Sequence, residues 1–172
     1  MNRKKYCIIL LLILTTFATV LCTIIAFKER RNGQKKKLDI ELVAVDIHHN
    51  NVKSLVSSQK ETMLIFFNTE CDYCTEEIIF IKKNINTFIF KYNIILVSFE
   101  DQVKLRKYER KIANSNEKIS TSFIFISDTA FDIIDKYDVS EFPSIFLFSR
   151  EGVEIGRSKG VRLDFLKQLK DR

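Results

Sequence analysis

"FFNTECDYCTEEI", residues Phe66 to Ile78, decides the fold. An apolar run breaks into a short polar turn, two cysteines follow with two residues between them, and acidic residues come next. The pattern predicts a buried strand ending at Phe67, a turn over Asn68 to Glu70, and a helix that starts at the cysteines and is capped by Thr69 or Glu70. A cysteine at a helix N-terminus faces unpaired N–H groups and the positive end of the helix dipole. Both favour thiolate over thiol, and the thiolate is the nucleophile in disulfide exchange. On this reading Cys71 attacks and Cys74 resolves. Half of a metal site and a pair of buried structural thiols are the alternatives.

Outward from this stretch the chain alternates strand and helix. Met63 to Phe67, Ile94 to Phe99 and Phe123 to Ile126 are short apolar runs, as strands buried on both faces are. Leu42 to Ile47 reads as an earlier strand, with a turn at His48 to Asn51. Ile78, Ile79, Ile85 and Ile89 give the helix after the cysteines an apolar stripe. Val103 to Ala113 and Thr129 to Tyr137 read as further helices. Ile145 to Phe148, a turn at Arg150-Glu151-Gly152, and Val153 to Arg157 form an antiparallel hairpin. Arg162 to Leu169 closes the chain as a helix with Val161, Phe165, Leu166 and Leu169 on one face. Parallel βαβ units followed by a hairpin imply an α/β fold, a mixed central sheet with helices on both faces.

The first 37 of the 172 residues differ from the rest. Tyr6 to Phe27 carries no charge over 22 residues, at ~1.5 Å rise enough for a hydrocarbon core of ~30 Å. It is too long for the apolar part of a cleaved signal peptide, and no A-x-A site stands out. Cys22 resembles a lipoprotein cleavage position only loosely, because Val20 and Leu21 stand where small residues are expected. We therefore expect an uncleaved transmembrane anchor at about residues 6–27, a basic linker to residue 37, and one domain over 38–172.

The net charge of +6 belongs to the flanks of the apolar segment. Residues 1–37 hold nine Lys/Arg against one Glu, a net of +8, and residues 38–172 hold 19 against 21, a net of −2. Those flanks suit anionic lipid headgroups, and no basic stripe remains for nucleic acid. By the positive-inside rule the more basic C-terminal flank places the domain in the cytoplasm, whereas a short basic N-terminus favours the opposite insertion.

Of the four cysteines only Cys71 and Cys74 lie beyond the apolar segment, so no disulfide framework holds the fold. Zinc needs four ligands, and His48 and His49, the only histidines, point to opposite sides if the segment is extended. Haem attachment needs C-x-x-C-H, and Thr75 stands in the histidine's place. Pro143, the only proline, sits in Glu141-Phe142-Pro143-Ser144 at a strand start, where proline is tolerated and a cis bond is cheapest.

"CDYC" after an apolar strand, "EFPS" before the hairpin and "REGVEIGRSKG" at its turn resemble the thioredoxin superfamily. More narrowly they resemble the TlpA/ResA-like membrane-anchored thiol-disulfide oxidoreductases, over about residues 38–172. The resemblance implies a thioredoxin-like three-layer fold, with residues 44–55 as the group's N-terminal addition. It also implies an inserted βα unit within the 69 positions that separate Cys74 from Pro143. It implies that Pro143 is cis and packs against the cysteine pair, that the backbone of Phe142 pairs with the substrate chain, and that Glu77 assists proton transfer. It places the domain outside the cytoplasmic membrane. The departures are Glu70 where an aromatic usually stands, and Asp72 and Tyr73 between the sulfurs, which we take as tuning residues. The charge of Asp72 opposes a Cys71 thiolate, which makes a better reductant.

The expected function is thiol-disulfide exchange that reduces protein disulfides and serves cell redox homeostasis. It needs no cofactor beyond the redox-active Cys71–Cys74 disulfide. The partners implied are substrate proteins with disulfides, an upstream dithiol reductant and the membrane. A metal-binding module and a catalytically silent binding domain are the alternatives. A peroxidase would want proline and Thr/Ser ahead of its cysteine, and only Thr69, two residues before Cys71, is at hand.

Overall fold

The structure is a computed structural model and describes residues 12–23, 36–38, 45–114 and 117–172. They fall into two compact units, one up to Lys35 and one from Lys36 onward. In the first, residues 12–23 form a helix, α1. Its threonines 15, 16, 19 and 23 bond their hydroxyls to carbonyls three residues back, so an apolar helix carries four polar groups without leaving them unmet. The rest of the expected 6–27 anchor lies outside the described residues. Among the described residues no helix is long and apolar enough to cross a membrane.

The second unit runs α2 (Val52–Leu55), β1 (Glu61–Phe66), α3 (Asp72–Lys83), α4 (Ile85–Lys91), β2 (Tyr92–Ser98), α5 (Gln102–Ala113) and α6 (Glu117–Ser122). It continues with β3 (Phe123–Ser127), α7 (Asp132–Tyr137), β4 (Ser144–Phe148), β5 (Glu154–Lys159) and α8 (Leu163–Asp171). The five strands form one mixed sheet in the order β3-β2-β1-β4-β5. β1, β2 and β3 are parallel, while β4 and β5 form the antiparallel hairpin beside β1. This is the mixed α/β sheet expected from the alternation of elements, and the thioredoxin-like fold that the resemblance implies.

Strand side chains alternate between two cores. Met63, Ile65, Ile94, Leu96, Phe123, Phe125, Ile145 and Leu147 face one side, where α3, α4, α5 and α8 cover them. Leu64, Phe66, Ile95, Val97, Ile124, Ile126, Phe146 and Phe148 face the other, against α7 and Val52 of α2. The run of β-branched and aromatic residues without polar alternation is thus the mark of a sheet covered on both sides. Gly152 turns the β4–β5 hairpin at φ +76°, a conformation that disfavours any side chain.

Three local expectations are corrected. The first concerns the stripe of Ile78, Ile79, Ile85 and Ile89, which assumed one continuous helix. Asn84, with a non-helical backbone and its side-chain amide bonding the Phe80 carbonyl at 2.9 Å, ends α3, and α4 starts at Ile85. Ile78 and Ile85 are buried as expected, together with Ile81 and Phe88, while Ile79 is exposed and Ile89 only partly covered. The second concerns Val161, which precedes α8 and is exposed, leaving Leu166 and Leu169 as its buried residues. The third concerns Leu42 to Ile47, of which residues 42–44 lie outside the described residues. Val45 makes only an isolated bridge to Asn51, and Ile47 is already in the turn.

Candidate active site

The parallel strands all end on one side of the sheet, and the loop after β1 carries the cysteines there. Phe67 still bonds to the Val97 carbonyl at 3.0 Å, then the chain leaves the sheet. The Asn68 side chain accepts from the Glu70 N–H at 2.7 Å, and its carbonyl accepts from the Cys71 N–H at 3.2 Å, which folds the turn. The cap of α3 is Cys71 itself, not Thr69 or Glu70: its Sγ accepts from the Cys74 N–H at 3.1 Å. Cys71 and Cys74 are joined in a disulfide, with Cα atoms 5.2 Å apart. Cys74 is 1% exposed, whereas Cys71 is only half-buried. A partner can therefore reach the first sulfur and not the second. Asp72 and Tyr73 project into solvent, Tyr73 with 60% of its surface exposed.

Glu77 lies one turn along α3 from Cys74 and is buried. One carboxylate oxygen accepts from the Arg162 N–H at 2.8 Å, and the other is buried with no partner. Burial pushes its pKa up, the Arg162 N–H works against that, and the charge of Asp164 adds to the rise. The structure thus places a reluctant carboxylate on the helix of the cysteine pair, at the seam between α3 and α8.

Phe142–Pro143 is a cis peptide bond. Pro143 is buried, and Phe142 packs against both cores. Because Ser144 pairs with Phe66, the start of β4 meets the end of β1, and the cis bond lies at the same end of the sheet from which the Cys71 loop leaves. Four loops, after β1, β2 and β3 and before β4, therefore share one edge of the molecule.

Sequence reasoning missed the group that holds this loop. Glu100 is buried just after β2 and accepts from the Thr69 N–H at 2.9 Å, the Thr69 hydroxyl at 2.7 Å and the Ser98 hydroxyl at 3.1 Å. Lys104 lies 2.7 Å from Glu100 and 2.7 Å from Glu70, the residue before Cys71. Burial works against the Glu100 charge, but the hydrogen bonds from Lys104, Thr69 and Ser98 outweigh it and hold its pKa below the usual value. The only sign of this in the sequence was an acidic pair, Glu100-Asp101, directly behind an apolar strand. Asp101 caps α5 by accepting from the Lys104 N–H at 2.9 Å.

The histidines do not join the cysteines. His48 pairs with Glu109 of α5 at 2.9 Å, and His49 sits in a left-handed turn at φ +64°. Among the described residues no group of three or more His, Cys, Asp or Glu side chains could hold a metal ion.

A thioredoxin-like sheet with a C-x-x-C disulfide at the N-terminus of a helix and a cis-proline beside it defines a class of thiol-redox proteins. The chain belongs to the AhpC/TSA family, whose model matches residues 33–153. No curated protein matches it. Among solved structures it is similar to a secreted Mycobacterium tuberculosis disulfide oxidoreductase homologous to E. coli DsbE, with a TM-score of 0.57 and 16% identity over 74% of this chain and 92% of that one. It is similar to StoA from Bacillus subtilis, with a TM-score of 0.54 and 15% identity over 74% and 93%. It is also similar to the mitochondrial 2-Cys peroxiredoxin of Plasmodium falciparum, with a TM-score of 0.56 and 17% identity over 74% and 85%. At such identities the likeness is one of fold.

Proposed function

We propose that the chain is a thiol-disulfide oxidoreductase that reduces disulfides of other proteins through the Cys71–Cys74 dithiol. The observation that carries this is the asymmetry of the pair, a half-exposed Cys71 that caps α3 and a buried Cys74 bonded to it. In the reduced chain the Cys71 thiolate attacks one sulfur of a substrate disulfide. A Cys71–substrate disulfide forms, and the other substrate sulfur leaves as a thiolate that takes up a proton. Cys74 then gives up its proton and attacks the Cys71 sulfur, which releases the second substrate thiol. Two electrons and two protons pass to the substrate, and another protein dithiol restores the pair. Glu77, when ionised, is a group of suitable kind to take the Cys74 proton, because burial raises the proton affinity of its carboxylate.

Reduction rather than oxidation is favoured by Asp72, whose charge beside Cys71 opposes the thiolate that a strong oxidant would stabilise. Phe142 offers its backbone to the substrate next to Pro143. A peroxidase reading has the likeness to a peroxiredoxin on its side. Against it, Thr69 is two residues from Cys71 rather than three, no proline precedes it, and its hydroxyl is bonded to Glu100. We also place the chain in the cytoplasmic membrane as a single-pass protein, its domain over 38–172 on the extracytoplasmic side. This rests on the uncharged 6–27 stretch and on the resemblance to TlpA/ResA-like proteins, against the lysine count of the flank.

The deciding experiment replaces Cys74 with serine and looks for mixed disulfides on non-reducing gels. The variant should trap partner proteins through Cys71, and the wild type should reduce insulin. If the wild type reduces nothing and the variant traps nothing, exchange is not its chemistry. Faster consumption of peroxide than of any disulfide would favour the peroxidase. A reporter fused to the C-terminus tells which side of the membrane the domain occupies.

A further inference from the structure

Phe142, Phe99 and Phe131 form a row of rings that starts at the cis-proline and runs out to solvent. Phe99 lies 5.8 Å from Phe142 and 5.7 Å from Phe131, and the outer pair is stacked with only 11° between planes. Phe131 ends the row with 45% of its surface exposed. Its backbone is left-handed, at φ +62°, which is a genuine outlier for a bulky side chain. It also occupies the N-cap position of α7 without making a cap bond. Asp128 does that work from upstream, its buried carboxylate accepting from the Ile133 and Ile134 N–H groups at 3.1 and 2.9 Å. The backbone at Phe131 thus holds an aromatic ring in an unfavourable conformation, one face stacked on Phe99 and nearly half of its surface in water.

Each ring of this row has an acidic neighbour in the chain: Asp132 follows Phe131, Asp101 follows Phe99 by two residues, and Glu141 precedes Phe142. All three acidic residues are exposed, and Asp101 also caps α5. Lys104, at the start of α5, is held by Glu70 and Glu100. Ring faces carry negative potential and attract cations, and carboxylates at their edges add to it. An arginine or lysine fits both parts, its apolar stem along the rings and its charged head among the acids. The row is continuous with Phe142, the residue beside which the substrate backbone is proposed to lie.

We infer that Phe99 and Phe131 dock a basic side chain next to the substrate's cysteine, so that the substrates are disulfide-bonded polypeptides with lysine or arginine flanking the bond. This rests on the disulfide-exchange reading of Cys71 and Cys74. The test uses the full chain, reduced and held in detergent, and three disulfide peptides that differ only in having Arg, Ala or Glu beside the cysteine. Hydroxyethyl disulfide serves as a substrate too small to reach the row. The Arg peptide should be reduced about five-fold faster than the Ala peptide, and the Glu peptide more slowly still. The spread should shrink at 1 M salt, where the Debye length falls to about 3 Å. Phe131→Ala, and separately Asp132→Asn with Glu141→Gln, should bring the Arg peptide down to the Ala rate and leave hydroxyethyl disulfide unchanged. Equal rates for all three peptides, or a Phe131→Ala rate that keeps the preference, would overturn the inference while leaving exchange intact. Failure to reduce any peptide or hydroxyethyl disulfide would overturn the exchange chemistry itself, and this inference with it.

Discussion

Replacing Glu100 with alanine removes the acceptor that three protein donors share, besides the ammonium of Lys104. The Ser98 hydroxyl is fully buried and loses its acceptor, while the Thr69 N–H and hydroxyl are partly buried. At about 1 kcal/mol for each of the three, the variant should be less stable by roughly 3 kcal/mol. Lys104 adds nothing to that sum, because it is exposed and keeps Glu70. In urea the midpoint should fall by about 1–2 M. The effect has a pH signature. The Glu100 pKa is lower in the fold than in the unfolded chain, so its contribution is present above the unfolded value, near 4.5, and is lost as pH falls through the folded value. The gap between wild type and variant should therefore be full at pH 7 and narrow in acid. With the loop before Cys71 released, disulfide exchange should slow as well. A variant within about 0.5 kcal/mol of wild type at pH 7, or a gap that stays constant to pH 3, would refute the view that this carboxylate anchors the loop.

Glu77→Gln should behave in the opposite sense. The Glu77 pKa is raised by burial, so wild-type stability falls as pH rises from about 4.5 through the folded value, and the glutamine variant should gain on it across that window in urea titrations at successive pH values. Glu77→Leu leaves the Arg162 N–H without its acceptor and should lie ~1–3 kcal/mol below the glutamine variant. Asp72→Asn removes an exposed charge next to Cys71 worth ~0.5–1 kcal/mol to the thiolate, which should raise the reduction potential by about 10–20 mV against glutathione. Phe66→Ala empties a fully buried site between Tyr137 and Phe146 and should cost ~3–5 kcal/mol by denaturant unfolding, without altering the potential of the pair.

The parts of the fold that were legible in the sequence are those set by local pattern. Leu64-Ile65-Phe66 and Ile95-Leu96-Val97 read as strands covered on both sides because the apolar runs are short and bounded by polar turns, and Cys71, Cys74 and Pro143 stand at the junctions where strands end or begin. The seam between α3 and α8 was half legible. Glu77 stood one turn from Cys74, but nothing local said that the Arg162 N–H, 85 residues on, would meet it. Glu100 and Lys104 act on Thr69 and Glu70 across more than 30 residues, so they read as ordinary surface charges. The break falls at Asn84, whose side-chain amide shares the Phe80 carbonyl with its own backbone N–H, a local event that hydrophobic periodicity does not register. Phe131 looked like part of a helix, and only the backbone conformation sets it apart.

The capping of α3 by the Cys71 sulfur has a practical side. One atom both closes the helix end and undergoes the chemistry, so substitutions at this position are not equivalent. Serine keeps an N-cap acceptor and removes the reactive sulfur, whereas alanine removes both and costs the helix about 1 kcal/mol besides. Serine is thus the clean chemical knock-out, and the difference between the two measures the cap alone. The same sharing makes the Cys74 amide a sensor built into the chain: its proton sits on the sulfur that changes state, and its chemical shift should follow the reaction without any added label.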